Sequence, residues 1–509
     1  VAWRTQLDQA KGDYALLDTL ISPADAQSLV RQLPSEDLHA FIHRIGLADC
    51  TELLALANSE QVRDILDLEI WEKDQLSVER IDPWLQSLMR SGPDVLGPRL
   101  LALDDEILGW IVRRTAIAVV LENPDDFSPP EEEHVVTPDG RLLVMFPHRA
   151  ERDLPAKIFL DWLMRTDAEH CINLLLSSTI ALDSNLQHDA HHWRSARMAD
   201  RGYVDYYDAL VIYAAPPKVP VARSHPKTKG SESHRWLASA ASGDRLDAAF
   251  AELEPDELAS VQGELGYVAN MILSADRIEA WDFDGQEVAL KRLRAGLMLG
   301  LQVLGGHDAE TDADLLYEDA LSLIFRHGYA RMLQAAAPAR AVRAALRSEA
   351  NPLAAVDLRA LTPWAEALLV DRHPHRLDGA PLSNEADLQE ARRAAEQIAT
   401  LVAVAGPTRP AEVGLATWLT TQFTLHLLGL SGDVLPVDQL VHAHKALFVG
   451  PGQIAPDTRA AAIIWWADRG GDDATLTLLL NEMTAELGHI NAGALEPRFL
   501  RLLRVGSPS

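Results

Sequence analysis

The sequence predicts a mainly α protein: a superhelix of short stacked helices, then further helical blocks, with one small β-hairpin inserted. Three observations predict it. A helix-start signal returns at a near-fixed interval between Ile21 and about Arg113, apolar stripes at helical spacing follow the signals, and alternating βα units are missing.

The start signals come first. Leu33-Pro34-Ser35-Glu36-Asp37-Leu38 opens one helix, and Ala57-Asn58-Ser59-Glu60-Gln61-Val62 opens another 24 positions later. Ile81-Asp82-Pro83-Trp84-Leu85 falls 24 further on, and Leu103-Asp104-Asp105-Glu106-Ile107-Leu108 falls 22 after that. In the first, second and fourth, a Ser or Asp stands where it can cap a helix, and an acid follows in the first turn. The stripes are Ala26, Leu29, Val30 and Leu33; then Leu38, Phe41, Ile42 and Ile45; then Val62, Ile65 and Leu66; then Ile107, Leu108, Ile111 and Val112. Each stripe lasts about three turns, too short for a helix stable alone, so stacking must supply the stability.

The run from Ser22 through Leu33-Pro34-Ser35-Glu36-Asp37 resembles the cytosolic N-terminal superhelical domain of MgtE-type magnesium transporters, whose short helices meet at Leu-Pro-x-Glu and Asp-Pro-x-Glu junctions. The resemblance is clearest over residues 21–113. More of the chain resembles bacterial proteins of unknown function that carry such a domain without a transporter. The resemblance implies an armadillo-like scaffold and raises the expectation of divalent-cation binding. No membrane domain and no pair of nucleotide-sensing βαβ modules follows the repeats, so transport is not implied.

Residues 1–121 are thus read as the superhelix. Beyond them, Asn123-Pro124 through Ser128-Pro129-Pro130 cannot continue a helix. Two β-prone runs flank Pro138-Asp139-Gly140, where Pro presets φ and Gly accepts φ > 0, which predicts a hairpin over 134–146. Helices fill the rest of 122–215. Residues 216–234, rich in Pro, Lys and Ser, read as a linker or exposed loop. A helical block over 235–337 contains Leu290, Leu293, Leu297, Leu301 and Leu304 on one long amphipathic helix stopped by Gly305-Gly306. A last helical block covers 338–509, and its tail from Val505 is expected to be disordered.

The chain has 509 residues, 48% of them apolar, and a formal net charge of −29 from 46 Lys+Arg against 75 Asp+Glu. That balance opposes nucleic acid and anionic membranes and leaves room for a basic protein partner or a cation. No window reaches the roughly 18 uninterrupted apolar residues of a membrane span. The two cysteines, Cys50 and Cys171, each lie in an apolar helical context, which fits a reducing, cytoplasmic location. Their number leaves no room for a disulfide framework.

Standard phosphate loops, a Gly-x-Ser-x-Gly elbow, Cys-x-x-Cys and His-Glu-x-x-His are all missing from the sequence. The best metal candidate is His188 and His192, four apart on one helix face, with Asp189 able to add an oxygen. Zinc needs three or four ligands, and the others are not identified there. Glu169-His170-Cys171 has ligand-type side chains that diverge around a helix. Acid clusters at Asp104-Asp105-Glu106, Glu131-Glu132-Glu133 and Asp472-Asp473 could hold Mg²⁺ weakly through oxygens. His442, His444 and the Trp465-Trp466 pair read as core or interface. The leading expectation is a non-enzymatic scaffold for protein binding. A Mg²⁺ sensor and a metal-dependent enzyme at His188/His192 are the alternatives.

Overall fold

The computed structural model describes residues 17–18, 20–121, 134–146, 154–217, 244–279, 281–343, 361–410, 412–491 and 495–506. The acidic run 131–133, the Pro-rich stretch 123–130, most of the expected linker (218–234) and the last three residues lie outside them. The chain is mainly helical, as expected, with a few small strands. Among the described residues, no helix is long and apolar enough to cross a membrane. Two compact units divide the chain. The first comprises Val1–Val211, Thr228–Ser233 and Ala269–Glu287; the second comprises Ile212–Lys227, His234–Val268 and Val288–Ser509.

The first unit begins with α1 (Ala26–Gln32), α2 (Ser35–Ile45), α3 (Thr51–Leu56), α4 (Ser59–Glu69), α5 (Val78–Arg90), α6 (Pro93–Leu100) and α7 (Asp105–Thr115). Up to α6, each helix packs on the one two places along: α1 on α3, α3 on α5, α2 on α4, α4 on α6. The stripes read from the sequence lie inside, with Val30, Leu38, Ile42, Val62, Ile65, Leu66, Ile107 and Leu108 buried in one core. Helices this short leave a large share of their end carbonyls open, and polar side chains from packed neighbours fill them. Buried Gln61 donates to the carbonyls of Val30 and Leu33 at the end of α1, both at 2.8 Å. Arg99 does the same for Ala57 after α3, and Ser87 and Ser91 donate to Leu47 and Thr51 at 3.2 and 3.0 Å.

Three of the expected helix starts are corrected in detail. Pro34, not Ser35, occupies the N-cap position of α2, and the Ser35 hydroxyl donates to Asp64 at 2.8 Å instead. Asn58, not Ser59, caps α4, accepting from the Gln61 amide while the Gln61 side chain accepts from the Asn58 amide. The third signal is not a start at all, because α5 begins at Val78 and carries Pro83 inside. Proline there forfeits one hydrogen bond close to the helix start, which burial of Ile81, Trp84, Leu85 and Leu88 outweighs.

The hairpin is present. β-Strands β1 (Trp71–Glu72) and β2 (Gln75–Leu76) make a small ribbon, while β3 (Ile117–Val120), β4 (His134–Val136) and β5 (Leu142–Met145) form an antiparallel sheet in the order β3-β5-β4. In the β4–β5 hairpin Val135 pairs with Val144, and Gly140 turns at φ 67°. The third strand, β3, falls where the sequence predicts the end of the superhelix. Its β-branched run Ile117-Ala118-Val119-Val120 pairs with β5 instead, Ala118 opposite Val144.

Helices α8 (Leu154–Thr166), α9 (Ala168–Ile180), α10 (Asp183–Asp200) and α11 (Tyr206–Ala209) follow. Helix α10 packs on α7, and its Arg194 and Arg197, with Arg201 at its C-cap, reach into the stack. Arg194 donates to the Asp67 carbonyl at 2.6 Å. Arg197 forms two-pronged pairs with both Asp67 and Asp104, all at 2.8–2.9 Å. Arg201 bridges Glu36 at 2.5 Å and Asp64 at 2.9 Å. One helix thereby ties α2, α4 and the start of α7 together.

The second unit holds α12 (Arg245–Glu252), most of α13 (Pro255–Asp276) and α14 (Phe283–Val303), then α15 (Ala309–Glu318), α16 (Leu321–Ala341), α17 (Glu385–Ala405), α18 (Leu415–Leu427), α19 (Leu440–Leu447), α20 (Pro456–Ala467) and α21 (Asp473–Leu487). Helix α14 is the long amphipathic helix expected, and Gly305 turns after it at φ 98°. It crosses α16 at backbone contact: a Cβ on Gly328 would lie 1.9 Å from the Gly296 carbonyl oxygen, and one on Gly300 equally close to that of Ile324. Small residues also line α16 and α17, where Ala335, Ala336, Ala339, Ala391, Ala394 and Ala395 are buried. Trp465 and Trp466 are core residues, as expected. The first two residues of the tail depart from the expected disorder, since Val505–Gly506 pairs in parallel with Leu435–Pro436.

Candidate functional site

Helix α2 carries His39 and His43, four positions apart and therefore on one side of the helix. Helix α4 packs against α2 and ends at Glu69. The three side chains converge: both histidine Nε2 atoms contact the same carboxylate oxygen, Glu69 Oε1, at 2.6 Å from His39 and 2.7 Å from His43. Their candidate ligand atoms all lie within 4.8 Å of one another. The His39 side chain is wholly buried, that of Glu69 is 12% exposed and that of His43 28%.

The surroundings hold the group in place. Trp84 on α5 donates its indole N–H to the other Glu69 oxygen at 3.3 Å, and Arg80 donates to the Glu69 carbonyl at 3.3 Å. His43 stacks on Trp281 with 4.5 Å between centroids and meets His39 edge-on at 4.7 Å. Burial by itself would raise the Glu69 carboxyl, but hydrogen bonds and charge from His39 and His43 outweigh it and hold it well below the usual carboxylate range. The second ring nitrogen of His39, Nδ1, is buried with no hydrogen-bond partner among the described residues. Chemically the cluster offers two imidazole nitrogens and one carboxylate oxygen to a single point, a donor set suited to borderline transition metals.

His188, Asp189 and His192 do lie on one helix, α10, with all three exposed. The structure does not bring them into the group of three. His191 between them turns inward, 5.6 Å from the Trp71 ring centroid. His170 pairs with Asp105 at 3.0 Å, whereas Cys171 is buried with its thiol toward the Leu160 carbonyl. Among the acid clusters, Asp104 is engaged by Arg197 and Asp472 caps α21. In the second unit, Tyr329 hydrogen-bonds His373 Nδ1 at 2.9 Å beside Tyr213, and His444 contacts the Leu487 carbonyl at 3.0 Å.

His39 and His43 escaped the sequence reading although their spacing is that of His188 and His192. They flank the stripe Leu38, Phe41 and Ile42, which explained the helix without them. Glu69, 26 residues beyond His43, becomes their partner only once α4 is laid on α2.

Fold and cluster together define a mainly helical protein whose first unit is a stack of short helices with an imidazole–carboxylate group between two of them. The chain belongs to the DUF6178 family, a family of unknown function, which residues 2–506 match. That match covers nearly the whole chain and shows no likeness to the MgtE type. Comparison with curated proteins and with solved structures gives no match.

Proposed function

We propose that the protein is a non-enzymatic scaffold that binds a basic protein partner through an acidic surface. The sorting of charge on α10 carries this reading. Its Arg194 and Arg197, and Arg201 at its C-cap, face acids and carbonyls within the stack, while Asp189 and Asp200 are exposed on the same helix with Trp193, itself 51% exposed. An acidic face with an aromatic anchor is the composition that recognises basic proteins by steering and then holds them by burial. The net charge of −29 extends the same field over the molecule.

The test is capture by the full chain from cells of its source, at low and at raised ionic strength. The expected catch is enriched in basic proteins, is released by salt, and is lost with Asp189→Lys/Asp200→Lys or Trp193→Ala. Capture that is indifferent to salt and to these changes would overturn the reading.

A further inference from the structure

We propose that His39, His43 and Glu69 bind one transition-metal ion of the zinc class, which staples α2 to α4. This goes beyond the scaffold reading and uses different residues.

Three ligand atoms on two packed helices already converge within 4.8 Å. Ligand atoms on a tetrahedral zinc stand about 3.3 Å apart, given bonds of about 2.0–2.1 Å. The 2.6 and 2.7 Å contacts therefore need to open by only about 0.6 Å, a movement within reach of the Glu69 side chain at the last residue of its helix. The carboxylate is oriented in advance, because Trp84 holds Oε2 and leaves Oε1 facing the imidazoles. His39 is fully buried, which fixes its ring beside Glu69 before any ion arrives. Partial exposure of His43 gives an ion a way in. Two nitrogens and one oxygen favour Zn²⁺, Co²⁺ or Ni²⁺ over Mg²⁺, which demands near-octahedral oxygen ligands. Three protein ligands leave a fourth position to water.

The experiment uses the full chain stripped with a chelator and titrated with Zn²⁺, with Co²⁺ as a spectroscopic probe and Mg²⁺ as the comparison. One saturable Zn²⁺ site per chain is expected, with visible Co²⁺ absorption of a four-coordinate ion and a rise in melting temperature that Mg²⁺ does not give. His43→Gln and Glu69→Gln should weaken binding by about 100-fold or more, while His188→Gln/His192→Gln leaves it unchanged. No saturable binding overturns the proposal, and so does binding that survives His43→Gln or disappears with His188→Gln/His192→Gln. Should the α2 and α4 variants fail to fold, the wild-type chain decides. Zn²⁺ is expected to protect His43 from diethyl pyrocarbonate, and modification at an unchanged rate contradicts the site.

Discussion

The two units solve helix packing in different ways. In the first, α1–α7 run from 6 to 13 residues, and their open carbonyls and acids are met by Gln61, Arg99, Arg194, Arg197 and Arg201. In the second, α14 and α16 have 21 residues each, and they meet through Gly296, Gly300 and Gly328 at backbone contact. A helix of two or three turns gains too little from its own hydrogen bonds and must have its ends completed by neighbours. A helix of nearly six turns is complete along most of its length, so small residues that admit close approach do the joining. Length favours one kind of joint without excluding the other, since Arg294 on α14 also pairs with Asp244 and Asp247 at the start of α12.

The largest effect that would sharpen this contrast is at Arg197. Arg197→Ala leaves Asp67, 3% exposed, without its cation and is expected to cost about 3–5 kcal/mol. Burial already raises the Asp67 carboxyl despite the opposing hydrogen bond and charge of Arg197. A raised carboxyl contributes stability below its unfolded value, about 3.9, and loses it as pH rises through the folded one. Without Arg197 the folded value climbs further. The deficit measured by urea unfolding should therefore be greatest near neutrality and shrink on acidification toward about pH 4.

Next comes the glycine crossing of the second unit. Gly300→Ala or Gly328→Ala places a methyl against a backbone carbonyl and should cost about 1–3 kcal/mol or more, where an exposed helical glycine would gain from the same change. A neutral result in thermal unfolding would break the contrast. Smaller again is the end cap of α4: Asn58→Ala should lose about 1 kcal/mol. The mildest perturbation is chemical. Burial pushes the Cys50 thiol up to about 11, with Asp49 adding to it, and the Cys171 thiol up to about 12, with Asp167 adding to it. Neither should react with a thiol reagent at pH 8 until denaturant is added, and fast native labelling of either would show that the core around it opens.

Much of the fold was legible because apolar spacing reports burial directly. Val62, Ile65 and Leu66, or Leu293, Leu297 and Leu301, could be placed from the 3.6-residue period alone. The hairpin over 134–146 was legible from one turn. Helix starts were less so, because a Ser or Asp at the right place can be drawn elsewhere: Ser35 turns to Asp64 and Asp104 to Arg197. Strand β3 was hidden, since four residues cannot declare a period and its partner is more than 20 residues away. The imidazole–carboxylate group was hidden for the same reason. Spacing within α2 marks His39 and His43, but nothing local points to Glu69. Arg197 and Arg201 pair with acids as many as 165 positions away, which a reading of one helix at a time cannot reach.

The most direct measurement is native-state hydrogen exchange on the full chain carrying Arg197→Ala. Amide protection should fall together in α4 and α7, the helices that Arg197 joins, while α14, α16 and α17 keep theirs. Equal loss in both units, or loss confined to α10 itself, would contradict the view that polar side chains hold the short helices together.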